Sequence, residues 1–141
     1  MSMLAENEAI QPYRVFARKK VLLVEDNKIE QLLARKVLRR LNLTCEVVAN
    51  GKLAVEILKT DYDIYSVVLM DCEMPVMDGF KAIKLIRKME NDIRQQHKPI
   101  IALTSAALQC NRQKCIDIGM DDYLSKPIDV SKLCTKIEDY L

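Results

Sequence analysis

The chain has 141 residues, of which 50% are apolar and 30% charged, and its formal net charge is +2. That length suits one hydrophobic core, and no apolar run approaches the roughly 18 residues a membrane-crossing helix needs, so a soluble, cytosolic domain is expected. Lysines and arginines are spread along the chain instead of clustering with aromatic residues, which argues against nucleic-acid binding.

Residues 1–19 show no sustained periodicity and are interrupted by Pro12, so they read as a linker or appended arm. Glu6 and Glu8 stand where a secretory signal would need an unbroken apolar stretch. From Lys20 onward, residues 20–141 alternate strand-like and helix-like patterns. Val21 to Val24 is an apolar run of strand length, and Ile29, Leu32, Leu33, Val37, Leu38 and Leu41 then recur at helical spacing. Cys45 to Ala49 is the second strand. The Asn50-Gly51 turn leads into a helix carrying Leu53, Ala54, Ile57 and Leu58. Ser66 to Met70 is the third strand, and Phe80, Ile83 and Ile86 mark the third helix. Asn91 to Lys98 is a polar return to a fourth strand, Ile100 to Leu103. A fourth helix ends at Gly119, a typical helix stop, before a short strand at Tyr123 to Leu124. Val130, Leu133, Cys134 and Ile137 give the last helix.

The five cysteines, Cys45, Cys72, Cys110, Cys115 and Cys134, lack the spacing of a metal site or disulfide framework and read as reduced, partly buried thiols. The single histidine, His97, lies in a polar stretch and reads as a solvated loop residue, as do the doublets Lys19-Lys20 and Arg39-Arg40.

Strict strand-helix alternation implies a three-layer α/β fold with a parallel five-stranded sheet covered on both faces. The order 2-1-3-4-5 fits length and unit count, although other doubly wound orders fit them too. In such sheets ligands bind beyond the carboxyl ends of the strands, where the strand order reverses. Strand 1 ends in Glu25-Asp26 and strand 3 in Asp71, so three carboxylates converge there. Like charges this close are relieved by proton uptake or by a cation, and an all-oxygen donor set suits Mg2+. Strand 4 runs into Thr104-Ser105 and strand 5 is followed by Lys126, which adds a hydroxyl and a cation opposite the acids. A nucleophilic carboxylate with metal, ammonium and hydroxyl groups around it is what phosphoryl transfer to a carboxylate requires. Singly, each residue has an ordinary explanation, since a strand-end Asp commonly caps a loop, Lys is commonly a surface charge, and Asp78-Gly79 alone is a turn signal.

The runs VLLVEDN (Val21 to Asn27), LMDCEMPVMDG (Leu69 to Gly79), IALTSAA (Ile101 to Ala107) and MDDYLSKP (Met120 to Pro127) resemble, in order and spacing, those of a response regulator receiver domain. The resemblance covers Lys20 to Leu141 and implies the flavodoxin-like (βα)5 fold. It implies that Asp71 is the phosphoacceptor and that Glu25, Asp26, Asp71 and the backbone carbonyl of Cys72 hold magnesium. Lys126 would contact the phosphoryl group, Thr104 would be the switch hydroxyl, and Tyr123 would repack to report the state outward. A cis bond is implied at Lys126-Pro127. Glu73 and Ala106 occupy positions where receiver domains tune dephosphorylation, and Ser105 is small enough to leave the acceptor accessible. The motif LMDCEMPVMDG and the N-terminal arm look more like the receiver of a hybrid histidine kinase than a single-domain regulator. The partners implied are a histidine kinase and a histidine phosphotransfer protein, with helix 1 near Ile29 and Leu33 contributing the contact surface of a monomeric receiver.

Three rival readings remain. An aspartyl-phosphate phosphohydrolase resembles the pocket in part, but its second Asp is replaced by Glu73 and the domain itself would be an acceptor, not a turnover enzyme. A flavin carrier would need a phosphate-cradling first loop, which Glu25-Asp26 would repel. A phosphorylation-independent binding module would have no use for the Asp71, Thr104 and Lys126 set.

Overall fold

The computed structural model describes residues 20–72, 74, 77, 79–92, 95–104 and 112–141, the side chains of 112, 114 and 115 excepted. The arm at 1–19, Glu73, Asp78, Ser105, Ala106, Cys110 and the Cys115 thiol therefore lie outside the described residues. The elements are β1 (Lys20–Val24), α1 (Lys28–Arg40), β2 (Thr44–Val48), α2 (Gly51–Asp61), a 3-10 turn (Tyr62–Ile64), β3 (Tyr65–Asp71), α3 (Gly79–Asp92), β4 (Ile100–Thr104), α4 (Arg112–Ile118), β5 (Asp122–Ser125) and α5 (Val130–Tyr140). The five strands form one sheet in the order β2-β1-β3-β4-β5, with every pairing parallel. This is the flavodoxin-like order expected from the sequence. The 3-10 turn is an addition that periodicity does not reveal.

Strands buried on both faces read as unbroken apolar runs because alternate residues feed opposite cores. Along β1, Val21 and Leu23 enter one core with Val37, Leu38, Leu103, Leu133 and Ile137, on the α1 and α5 side. Leu22 and Val24 enter the other with Ala54, Leu58, Ile83, Ile86 and Ala102, on the α2 and α3 side. A fully buried Leu or Ile of this kind contributes about 1.5–3 kcal/mol.

The helical spacing on α1 runs through two faces, and of the pair expected at a partner surface Ile29 is exposed while Leu33 is half-buried. Ala34, Val37 and Leu38 are the buried residues of the helix, whereas Ile29 is 78% and Leu32 61% exposed. Both stand on the half of α1 nearest the carboxyl ends of the strands. On α2 the inward residues are Gly51, Ala54, Val55 and Leu58, with Leu53 exposed. Gly119 closes α4 with a φ of 116°, a conformation that costs glycine little and other residues much. The Lys126-Pro127 bond is cis, as expected. Among the described residues no helix is long and apolar enough to cross a membrane.

Candidate functional site

Strand register brings the strand-end residues together. Val24 pairs with Met70 across β1 and β3, Asp71 with Leu103 across β3 and β4, and Thr104 with Ser125 across β4 and β5. Backbone bonds carry the ladder one step further and fix the residues just beyond it. The amide of Glu25 donates to Val48 O at 3.1 Å, that of Cys72 to Leu103 O at 3.0 Å, and that of Lys126 to Thr104 O at 2.7 Å. Side-chain positions at the site are thus inherited from a rigid sheet.

Local bonding then orients the acids. Asn27 caps α1, its Oδ1 accepting from the amides of Ile29 at 2.9 Å and Glu30 at 3.1 Å, an arrangement worth about 1 kcal/mol. The Asn27 amide in turn donates to Glu25 Oε1 at 3.1 Å, and Gln31 Nε2 donates to the Glu25 carbonyl at 2.7 Å. Glu25 and Asp71 are each 1% exposed, while Asp26 is exposed. One ligand oxygen from each of Glu25, Asp26 and Asp71 lies within 4.8 Å of the others. Lys126 Nζ reaches over this cluster, 3.2 Å from Asp71 Oδ2, 3.3 Å from Glu25 Oε2 and 2.7 Å from Glu30 Oε2.

Among the described residues, the Lys126 ammonium alone faces the carboxylates of Glu25, Glu30 and Asp71, with Asp26 beside them, which leaves the site short of positive charge. Burial foremost, with the negative charge of Asp71 and the Glu30 carboxyl, pushes Glu25 up to about 8, against the opposing pull of the Asn27 amide and Lys126. A carboxyl raised in this way takes up a proton or a cation more readily than a solvated one. Burial works to lower the Lys126 pKa, but the bond to Glu30 and the charges of Asp71 and Glu25 win and raise it above its ordinary value. Lys126 is therefore a fixed cation. Hard oxygen donors, clustered within 4.8 Å of one another and short of counter-charge, fit Mg2+ and offer nothing to a softer metal. The Cys72 side chain is not part of that donor set: its buried Sγ contacts the Met70 carbonyl at 3.7 Å.

Thr104 is 3% exposed at the end of β4. By strand alternation its side chain shares the sheet face of Ala102, and Tyr123, paired with Ala102, packs partly buried against that same core. The sequence-derived set Glu25, Asp26, Asp71, Cys72, Thr104 and Lys126 is thus gathered at one end of the sheet, with Tyr123 one strand away. Glu30 was missed. Its signal was the i, i+5 offset from Glu25 across a short helix cap, which aims an acid in the first turn of α1 back at the pocket.

Behind the acceptor, Gly79 leaves no room for a side chain. A Cβ there would stand 2.5 Å from the Asp71 carbonyl oxygen and 2.7 Å from Cys72 Cα. Gly79→Ala is expected to cost about 1–3 kcal/mol in urea unfolding, since backbone has to shift to admit the methyl, and to slow any reaction at Asp71.

One reading of an isolated residue is modified and another holds. His97, expected to be solvated, has a 59% exposed side chain but its Nε2 lies 2.6 Å from Asp121 Oδ1. The described thiols Cys45, Cys72 and Cys134 form no disulfide, Cys45 and Cys134 being partly buried as expected and Cys72 buried; burial pushes the Cys45 thiol up to about 11.

Residues 21–138 match the response regulator receiver domain, and the chain belongs to that family. It is 40% identical over 118 residues to hybrid signal transduction histidine kinase M of Dictyostelium discoideum, a match covering 84% of this chain and 5% of that protein. The chain thus spans a small fraction of the length of such relatives. Among solved structures, the receiver domain of sensor histidine kinase PA1611 from Pseudomonas aeruginosa PAO1, with a magnesium ion coordinated in the active site cleft, is 39% identical, with a TM-score of 0.74 over 86% of this chain and 96% of that one. The receiver domain of the Saccharomyces cerevisiae response regulator Ssk1, co-crystallised with the histidine phosphotransfer protein Ypd1, is 32% identical, with a TM-score of 0.79 over 89% of this chain and 90% of that one.

Proposed function

We propose that residues 20–141 are a phosphorelay receiver that accepts a phosphoryl group from a phosphohistidine onto Asp71, with residues 1–19 as an appended arm. The observation that carries this reading is the placement of Lys126 Nζ 3.2 Å from Asp71 Oδ2 above three carboxylates within 4.8 Å of one another. An Asp71 oxygen attacks phosphorus as the phosphorus-nitrogen bond of the donor breaks, leaving the electron pair on the imidazole. Lys126 and the Thr104 hydroxyl meet the oxygens of the transferring group, and burial of Asp71 keeps water from competing for them.

Magnesium would be held by Glu25, Asp26, Asp71 and the Cys72 backbone carbonyl, and when bound supplies charge neutralisation for the dianion. Thr104 and Tyr123, on one face of the sheet, would pass the state to the surface around α4, β5 and α5. Histidine kinase and histidine phosphotransfer partners are supported by the kinases the chain resembles and by the Ssk1–Ypd1 complex. The exposed Ile29 and Leu32, at 78% and 61%, flank the pocket and suit an apolar docking contact there. Because both are exposed, Ile29→Asp with Leu32→Asp is expected to leave the unfolding midpoint unchanged and to slow transfer from a phosphohistidine donor by roughly tenfold or more, while small-molecule phosphorylation continues.

The reading is tested by treating the protein with acetyl phosphate, or with beryllofluoride, in the presence of magnesium. Wild type should form a one-to-one adduct that Asp71→Asn does not. An adduct of equal yield in both would sink it, and phosphate release beyond one equivalent at enzymic rates would favour a phosphohydrolase.

A further inference from the structure

We infer that Glu30 is a positioning residue for Lys126: it occupies one of the ammonium's donor positions in the resting protein and gives it up to the incoming phosphoryl group. The inference rests on Asp71 being the acceptor. An ammonium has three donors, and three carboxylates surround Lys126 Nζ, with Glu30 at 2.7 Å, Asp71 at 3.2 Å and Glu25 at 3.3 Å. A phosphoryl oxygen that binds Lys126 therefore displaces one of them.

Glu25 is poorly suited to leave. Its side chain is 1% exposed and is held by the Asn27 amide. Asp71 is the attachment point itself. Glu30 has a 29% exposed side chain in the first turn of α1, so its carboxylate can rotate into solvent at little desolvation cost. Its Oε2 is sealed from solvent in the resting arrangement and faces Lys126 Nζ at 2.7 Å, so the ion pair holds it there. Displacement also moves one negative charge away from an arriving dianion, a favourable Coulomb change. Glu30 stands next to Ile29 and two residues from Leu32, the exposed apolar pair on the same helix. A partner settling on α1 would therefore sit beside the group that restrains Lys126.

The test is a double-mutant cycle on acetyl phosphate phosphorylation rate and beryllofluoride affinity, both with magnesium, for wild type, Glu30→Gln, Lys126→Met and the double variant. Glu30→Gln is expected to speed phosphorylation and to tighten beryllofluoride roughly tenfold, and to have no effect once Lys126 is methionine. A merely structural acid in the first turn of α1 would lower the unfolding midpoint of Glu30→Gln and leave both readouts at wild-type values, which overturns the inference. An equal gain with and without Lys126 also overturns it, since the effect would then be bulk charge. Failure of wild type to form any Asp71-dependent adduct would overturn the acceptor reading along with this one, so the two failures are distinguishable.

Discussion

Lys126→Met is expected to slow phosphorylation of Asp71 by acetyl phosphate roughly a hundred- to a thousandfold, the usual cost of removing one preorganised charge from a transferring group. Magnesium affinity should move the other way. Lys126 Nζ lies within 3.3 Å of both Glu25 and Asp71, so its loss removes their counter-charge and raises the demand of the cluster for a cation. Thermal unfolding against magnesium concentration reads this second effect without reference to activity. A variant that lost phosphorylation and magnesium binding together would point instead to general collapse of the pocket. Methionine keeps most of the aliphatic length of the side chain, which limits the packing change.

Arg87→Ala should be the most destabilising single change outside the apolar core, at about 3–5 kcal/mol in urea unfolding. The guanidinium is a four-way junction. Its Nε donates to the Gly119 carbonyl at 2.9 Å, its Nη1 to Glu90 Oε1 at 2.7 Å and to the Lys98 carbonyl at 2.8 Å, and its Nη2 to Asp121 Oδ2 at 2.8 Å. The acids it joins are themselves committed. Glu90 Oε2 accepts from the Lys98 amide at 2.8 Å and from the Tyr62 hydroxyl, and Asp121 Oδ2 accepts from the Ile100 amide at 2.7 Å. Truncation leaves Glu90, 6% exposed, without its cation and loosens α3, β4 and the lead into β5 at once. Arg87→Lys should recover only part of the loss, because an ammonium cannot reproduce the planar fork. Phosphorylation of the fraction still folded is expected to persist, since this network knits the opposite end of the sheet from Asp71. A loss below about 1 kcal/mol, the ordinary value of an exposed ion pair, would contradict this account.

The fold was legible because strands buried on both faces leave unbroken apolar runs that few other arrangements explain. Val21 to Val24 and Ile100 to Leu103 are of that kind, and each sits within the corresponding strand. Helices were read less well for a physical reason. A 3.6-residue period identifies a stripe, but a stripe with Ile29 and Leu32 in it can face a core or a partner, and only the tertiary structure tells which. The candidate site was legible from the strand ends taken together with the receiver-domain resemblance, which supplied part of the case for the strand order and the expectations for Cys72, Thr104 and Tyr123. Groups acting across sequence distance were not. Arg87 and Glu90 share the inward stripe of α3 with Ile83 and Ile86, an available clue, yet their partners at Lys98, Gly119 and Asp121 could be known only from the packed fold. Glu30 was obscured for the same reason, its tie to Lys126 spanning most of the chain.

The claim underneath all of this is that Asp71, and no other carboxylate in the cluster, carries the phosphoryl group. Reduction of the acyl phosphate with borohydride after acetyl phosphate and magnesium treatment, followed by peptide mass mapping, reads that position directly. The account predicts conversion of Asp71 to homoserine in the peptide containing Met70 and Cys72, with Glu25, Asp26 and Glu30 unmodified. Reduction at any of those three residues, or at none, would contradict it.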